Sequence, residues 1–325
     1  MDSNIEKTVI KIGTLVVLLL VLSFVLVYFN IVSCGSYSSL GCDIYYSAVA
    51  GGKPNVLIVT GEEGSGNPEL LYEILRGPKF RARSSLKQLS LVSLPLLREN
   101  QLVIVEKARV MSKNDIKMFM EYVNLGGKLV WVGDAGTLSS KEESDLNYYL
   151  TYSNRGQSSE GYIGPWARKD GEKQLSLDYL LGVNFKSNYC DLTTCYPDSR
   201  IGVFDFVDSD KKIVYGLSQN LAFYGDFSVV KLNSNAYQTS FAFLEHNSDL
   251  IGTSSPNQFW LNSGKQNFGN DFPLIVSSGA GGRVLYYAFP PEYFVSEEMP
   301  IDSETGEHIQ YWALLENMYY GMLYK

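Results

Sequence analysis

Asp134 and Glu292 are the side chains in this sequence best placed to act on a ligand. Asp134 stands in the turn Gly133-Asp134-Ala135-Gly136-Thr137, directly after the apolar run Leu-Val-Trp-Val132. Glu292 closes Phe289-Pro290-Pro291-Glu292, directly after Val-Leu-Tyr-Tyr-Ala. If both runs are strands of one open α/β sheet, both carboxylates fall at its C-terminal edge, where such folds place ligands. Two facing carboxylates can hydrolyse glycosides as acid and base or nucleophile. If they do not face each other, Asp134 caps its own turn and Glu292 is a solvated loop residue. Glu62, Glu63, Ser65 and Asn67 in GEEGSGNPE, with Thr137, can line the same crevice or form an ordinary polar loop. The loop is no phosphate cradle, because no Gly-Lys-Ser/Thr follows.

Other candidates read as structural. His246 and His308 stand alone in unrelated contexts. Asp205, Asp208 and Asp210 lack the spacing and sharp-turn glycine of a calcium loop. Tyr148, Tyr149, Tyr152, Tyr162 and Trp166 can stack sugars or a partner protein, or form an aromatic rim around a core. The four cysteines fall into two local pairs, Cys34/Cys42 and Cys190/Cys195. Their spacings do not suit zinc, and proximity in an oxidising compartment favours two short disulfide loops. Neither a metal nor a cofactor is expected.

The elements that must position these residues announce themselves locally. Residues 55–60 (NVLIVT), 101–106 and 128–132 are short apolar runs of the kind that form buried parallel strands. Pro68 suits the first turn of a helix through about Arg76. Ser112 and Asp115 spell a capping box, Ile116, Phe119, Met120 and Val123 mark one helical face, and Gly126-Gly127 stop the helix. A short helix follows over 175–181, a hairpin over 200–219, strands at 273–276 and 281–289, and a helix over 307–324. This alternation predicts a flavodoxin-like α/β sandwich with a mostly parallel sheet and a β-rich insertion at about 138–270.

Upstream, no charge occurs between Lys11 and Asp43, and residues 12–32 are long and apolar enough to span a bilayer as a helix. Lys7 and Lys11 precede this run and Lys53 is the first cation after it. That asymmetry predicts a cytoplasmic tail (1–11), a transmembrane helix (12–32), a stalk (33–53) and an extracytoplasmic domain (54–325). The alternative is a lipoprotein signal, in which Ile31-Val32-Ser33-Cys34 is a lipobox and Cys34 carries a lipid. The net charge of −8, with no basic run, argues against nucleic acid as a partner.

The segments NVLIVTGEEG, YVNLGGKLVWVGDAGT and GGRVLYYAFPPEYF, taken in order, resemble the class I glutamine amidotransferase-like superfamily. The resemblance covers about 90 residues and implies a flavodoxin-like fold. In the active members a cysteine on the turn G-x-C-x-G is deprotonated by a histidine in a late F-H-P-E-like segment. Here Asp134 stands at the cysteine position and Pro290 at the histidine position, and only Glu292 is retained. The resemblance therefore implies a degenerate, membrane-anchored member without amidotransferase activity. The function expected is a non-catalytic binding or scaffolding domain of the cell envelope, tied to the lipid bilayer and meeting a protein or carbohydrate partner. The alternative is a carbohydrate hydrolase acting through paired carboxylates.

Overall fold

The computed structural model describes residues 3–28, 52–140, 165–170, 173–192, 195, 200–207, 212–218, 221–233, 238–246, 258–261, 264–267, 271–302 and 306–323. Helix α1 covers Ser3–Tyr28, 26 residues. It starts upstream of the expected span and its described part ends within it. Its side chains are described over residues 10–23, 25 and 26, and Ile12, Leu15, Leu18, Leu22 and Val25 are 42 to 60% exposed. Among the described residues no helix is long and apolar enough to cross a membrane. The stalk cysteines Cys34 and Cys42 lie outside the described residues.

A nine-stranded sheet organises the rest. Its strands are β1 (Asn55–Thr60), β2 (Arg83–Gln88), β3 (Leu102–Val105), β4 (Leu129–Val132), β6 (Arg200–Phe206), β7 (Ala222–Tyr224), β9 (Thr239–His246), β10 (Asp271–Ser277) and β11 (Val284–Tyr287). The spatial order is β7-β6-β9-β10-β11-β4-β3-β1-β2. The block β11-β4-β3-β1-β2 is parallel throughout and has the flavodoxin-like order. From β11 outward to β7 every pairing is antiparallel. Strands from the 138–270 segment thus lengthen the central sheet, and others form two-stranded pairs outside it. A further antiparallel pair, β5 (Val183–Asn188) with β8 (Ser228–Leu232), delivers two residues to the site described below.

Each parallel strand except the edge strand β2 is almost wholly buried, so both faces of the block are covered. Helix α2 (Pro68–Arg76) has Pro at its first turn, and the Asn67 side chain accepts from Leu70 N–H. It groups with the 3₁₀ helix Pro291–Val295 and with α7 (Trp312–Leu323), and Phe80 meets Tyr319 and Tyr320 there. Helix α3 (Leu94–Arg98) and α5 (Leu177–Leu181) pack with α4 (Lys113–Asn124), whose capping box forms as expected. Its buried face is Ile116, Phe119, Tyr122 and Val123; Met120 is only partly buried. Tyr122 takes the inner position because its ring covers Gly127, where an added Cβ would lie 2.3 Å from the ring.

The expected 200–219 hairpin does not form. Strand β6 pairs instead with β7 and β9, and residues 212–216 are turns. Ile213 and Val214 are buried, Ile213 against Gly321 of α7, and Asn317 Nδ2 donates to the Tyr215 carbonyl. Packing on α7 outweighs the local hairpin pattern.

Candidate functional site

Strand β4 ends in a turn that only glycine can make. Gly133 has φ +59°, and a Cβ there would meet Ser65 Cβ at 2.9 Å. The next residue, Asp134, is buried, and both its oxygens have donors. Ser65 N–H donates to Oδ1 at 2.9 Å, and Asn188 Nδ2 donates to Oδ2 at 3.0 Å. Arg109 Nε lies 3.3 Å from Oδ2 without hydrogen-bond geometry, so that contact is Coulombic. Ser228 Oγ in turn donates to Asn188 Oδ1 at 3.0 Å. The turn backbone is equally tied: Thr137 Oγ1 donates to Asp134 O, and the indoles of Trp131 and Trp166 both donate to Ala135 O. Trp166 is thereby a buried turn support and not a stacking platform on the surface.

Glu292 is also buried, and the partners of its carboxyl are residues other than Asp134. Its Oε1 accepts from Asn67 N–H at 2.7 Å, and its carboxyl neighbours that of the buried Glu106 just past the end of β3. Geometry alone assigns no donor to either Glu106 oxygen or to Glu292 Oε2. The two facts agree if Glu106 carries the proton and donates it to Glu292. Burial, reinforced by the Glu292 charge, pushes the Glu106 carboxyl well above the usual range. Burial also raises Glu292, to about 7, against the lowering hydrogen bonds from Asn67 N–H and Glu106. The carboxylate that pairs with Glu292 is thus Glu106, not Asp134.

A cavity of about 420 Å³ opens over the Asp134 turn at the C-terminal edge of the parallel strands. One wall is the loop Gly64-Ser65-Gly66, and the opposing wall is Pro290, Tyr293 and Phe294. Arg109, Asp134, Asn188, Gly225 and Asp226 complete it. Asp226 Oδ1 accepts from the N–H groups of Cys190 and Phe227 at 2.9 and 2.8 Å. Burial nevertheless raises its carboxyl to about 6, with smaller contributions from Asp191 and Asp134. The Cys190–Cys195 disulfide is present as expected and fixes the helical turn α6 (Tyr189–Leu192) that supplies the first of those donors.

Of the residues singled out in the sequence, Ser65 and Asp134 line this cavity. Glu62 and Glu63 are exposed, Thr137 braces the turn, and Glu292 lies behind the wall. Asp205 is an exposed strand residue, whereas Asp208, Asp210 and the tyrosines 148–162 lie outside the described residues. His308 Nδ1 bonds the Met299 carbonyl beside the antiparallel bridge between Ile301 and His308. Arg109, Asn188, Asp226 and Glu106 carried no motif. Only Glu106, a carboxylate ending an otherwise apolar strand, left a trace in the sequence. Among the described residues the Cys190, Cys195 and Asp226 ligand atoms cluster within 4.8 Å, but the disulfide occupies both sulfurs. A second cavity, about 370 Å³, opens at the other end of the strands between Pro54, Gln101 and Lys128, and no carboxylate lines it.

No protein-family model and no curated protein matches the chain. Among solved structures, a ThuA-like protein from Bacteroides uniformis aligns with a TM-score of 0.47 and 15% identity, over 82% of this chain and 90% of that one. A glutamine amidotransferase from Thermotoga maritima aligns with a TM-score of 0.36 and 12% identity, over 74% and 76%. A β-galactosidase from Rahnella sp. aligns with a TM-score of 0.43 and 14% identity over 73% of this chain. This chain spans only 28% of that enzyme's length. Likeness at this level transfers no residue roles.

Proposed function

We propose that the chain is a non-catalytic binding domain, held at a membrane by α1, that takes a small polar ligand in the Asp134–Asp226 cavity. One observation carries the reading: among the described residues, Asp134 and Glu292 are each engaged by other partners and do not form the carboxylate pair that the hydrolase alternative needs. Both Asp134 oxygens are held by Ser65, Asn188 and Arg109. Glu292 is committed to Glu106 behind the wall. A general base must reach the proton it takes, and a buried carboxylate fully engaged by fixed donors is a poor one. Its better role is to hold the turn and orient Arg109. The remaining chemistry, a guanidinium, the Asp226 carboxyl and the Tyr293 and Phe294 rings around a concave space, suits recognition of a hydroxyl-rich ligand such as an envelope carbohydrate.

The membrane half of the reading rests on the uncharged apolar run of residues 12–32, the exposed apolar side chains of α1 and the Lys7/Lys11 asymmetry. The amidotransferase-like ancestry rests on the three sequence segments and on the parallel strand order. The test is calorimetric titration of the purified full chain with a panel of envelope oligosaccharides, with product analysis by mass spectrometry. Saturable binding that weakens about tenfold in Asp226→Ala, with the oligosaccharide recovered intact, is the expected result. Cleaved product that disappears in Asp134→Asn would overturn it in favour of a hydrolase.

A further inference from the structure

The cavity's two facing walls are joined from behind by the Glu106–Glu292 carboxyl pair. Glu292 begins the 3₁₀ helix that presents Tyr293 and Phe294, and it accepts from Asn67 N–H at the end of the opposing loop. Glu106 lies directly beneath that loop, where a Cβ on Gly66 would come within 3.1 Å of Glu106 Oε2. Both carboxyls are almost completely shielded, and among the described residues no other side chain supplies a donor to Glu106 Oε1, Glu106 Oε2 or Glu292 Oε2. A proton held between them satisfies the pair. Without it, two buried anions face each other with no cation in contact.

We propose that Glu106 and Glu292 form a proton-operated latch that holds the Gly64–Asn67 loop against the Pro290–Phe294 wall and lets the two separate when the shared proton is lost. The proposal rests on the ligand-site reading only in naming these segments as cavity walls. The step balances as the loss of one proton from Glu106 to water, which breaks the Glu106–Glu292 hydrogen bond and leaves two carboxylates. Repulsion in a site of low polarity then favours solvating at least one of them, and the loop covering Glu106 is the part that must move.

The charged groups around the pair do not neutralise it. Glu69 on α2 and Glu298 after the 3₁₀ helix add negative potential, and Lys107 beside Glu106 offsets it only in part. Burial is the first cause of the raised carboxyls, with Glu292 near 7 and Glu106 well above the usual range. The latch is therefore closed while Glu106 keeps its proton and is released as rising pH removes that proton, above the usual carboxylate range. That direction is opposite to the behaviour of an ordinary salt-bridged carboxylate.

Hydrogen exchange of the full chain in detergent, read by mass spectrometry from pH 5.5 to 8.5 and corrected for intrinsic exchange, tests the latch without any ligand. Protection of peptides spanning 61–70 and 289–296 should fall at least tenfold as pH rises over this range while α4 peptides stay protected. Glu106→Gln, whose amide can donate to Glu292 without titrating, should keep both segments protected over the whole range. Should that variant fail to fold, infrared titration of the wild type gives an independent reading. A protonated-carboxyl stretch present at pH 6 and lost by pH 8.5 supports the latch, and its absence at pH 6 overturns it. Flat protection in the wild type, or an unchanged pH dependence in a folded Glu106→Gln, also overturns it. Loss of sugar binding with these results intact would instead reject the ligand reading and leave the latch standing.

Discussion

The Asn188 side chain donates to Asp134 and accepts from Ser228, so one amide fixes the orientation of the carboxylate on the cavity floor. Replacing it with alanine leaves Asp134 Oδ2 with only the Coulombic Arg109 contact. We expect Asn188→Ala to lower unfolding free energy by about 1–3 kcal/mol in denaturant titration, the range for stripping a buried group of its partner. The acidic residues predict an inverted pH profile. Asp226 rises from 3.8 to about 6, and Glu292 from 4.5 to about 7. Carboxyls whose folded pKa is raised contribute fully below about pH 4, and that contribution is lost as pH climbs through 6 and 7. The melting temperature should therefore fall by several degrees between pH 5 and 8, and Glu106→Gln should flatten the upper part of that slope. A maximum at pH 8 would contradict these assignments. Asp134 was legible in the sequence because a Gly-Asp-Ala-Gly turn after an apolar strand is a local pattern. Its partners Arg109 and Asn188 were not, because the tertiary fold brings them to it from distant parts of the chain, which no short window encodes.

At the scale of elements, what is written locally is what the sequence revealed. Ser112 caps α4 and accepts from Asp115 N–H, while the Asp115 carboxylate accepts from Ser112 N–H in return. Ser112→Ala should cost about 1 kcal/mol and shift the denaturation midpoint without altering its slope. Strands β1, β3 and β4 were recognisable as short apolar runs, and α2 from its proline. Strand β2 was not, because an exposed edge strand reading Arg-Ser-Ser-Leu-Lys-Gln is polar on purpose and carries no hydrophobic period. The 200–219 segment misled because its apolar residues serve α7 rather than a neighbouring strand. Gly127 gives a second test. An alanine there collides with the Tyr122 ring, whose hydroxyl receives Lys128 N–H and donates to Lys128 O. Gly127→Ala should lose about 1–3 kcal/mol, and Tyr122→Phe in the same background should not restore it.

For the whole molecule, the proposed attachment through α1 makes a direct prediction. Full-length protein should resist alkaline extraction from membranes, whereas a version beginning at Gly52 should be released into the supernatant. Extraction of both would remove the anchor from the account. The disulfide adds a second whole-molecule test, since it closes the six-residue loop between Cys190 and Cys195. Reduction should destabilise the fold by about 2 kcal/mol from the entropy of so short a loop, with weaker ligand binding because Cys190 N–H supports Asp226.

The junction between β4 and β11 has a consequence for how the chain reaches this state. The two strands lie side by side in parallel at the centre of the sheet, yet Val132 and Val284 are about 150 residues apart. Closing so long a loop opposes their pairing by on the order of 4 kcal/mol before any contact is made. The pairing must also wait until the chain as far as Tyr287 has left the ribosome. Until then β4 presents an unpaired apolar edge, the kind of surface that recruits other chains. Refolding should consequently be slow and concentration-sensitive, with the β2-β1-β3-β4 block forming first and β11 arriving last as the closing piece.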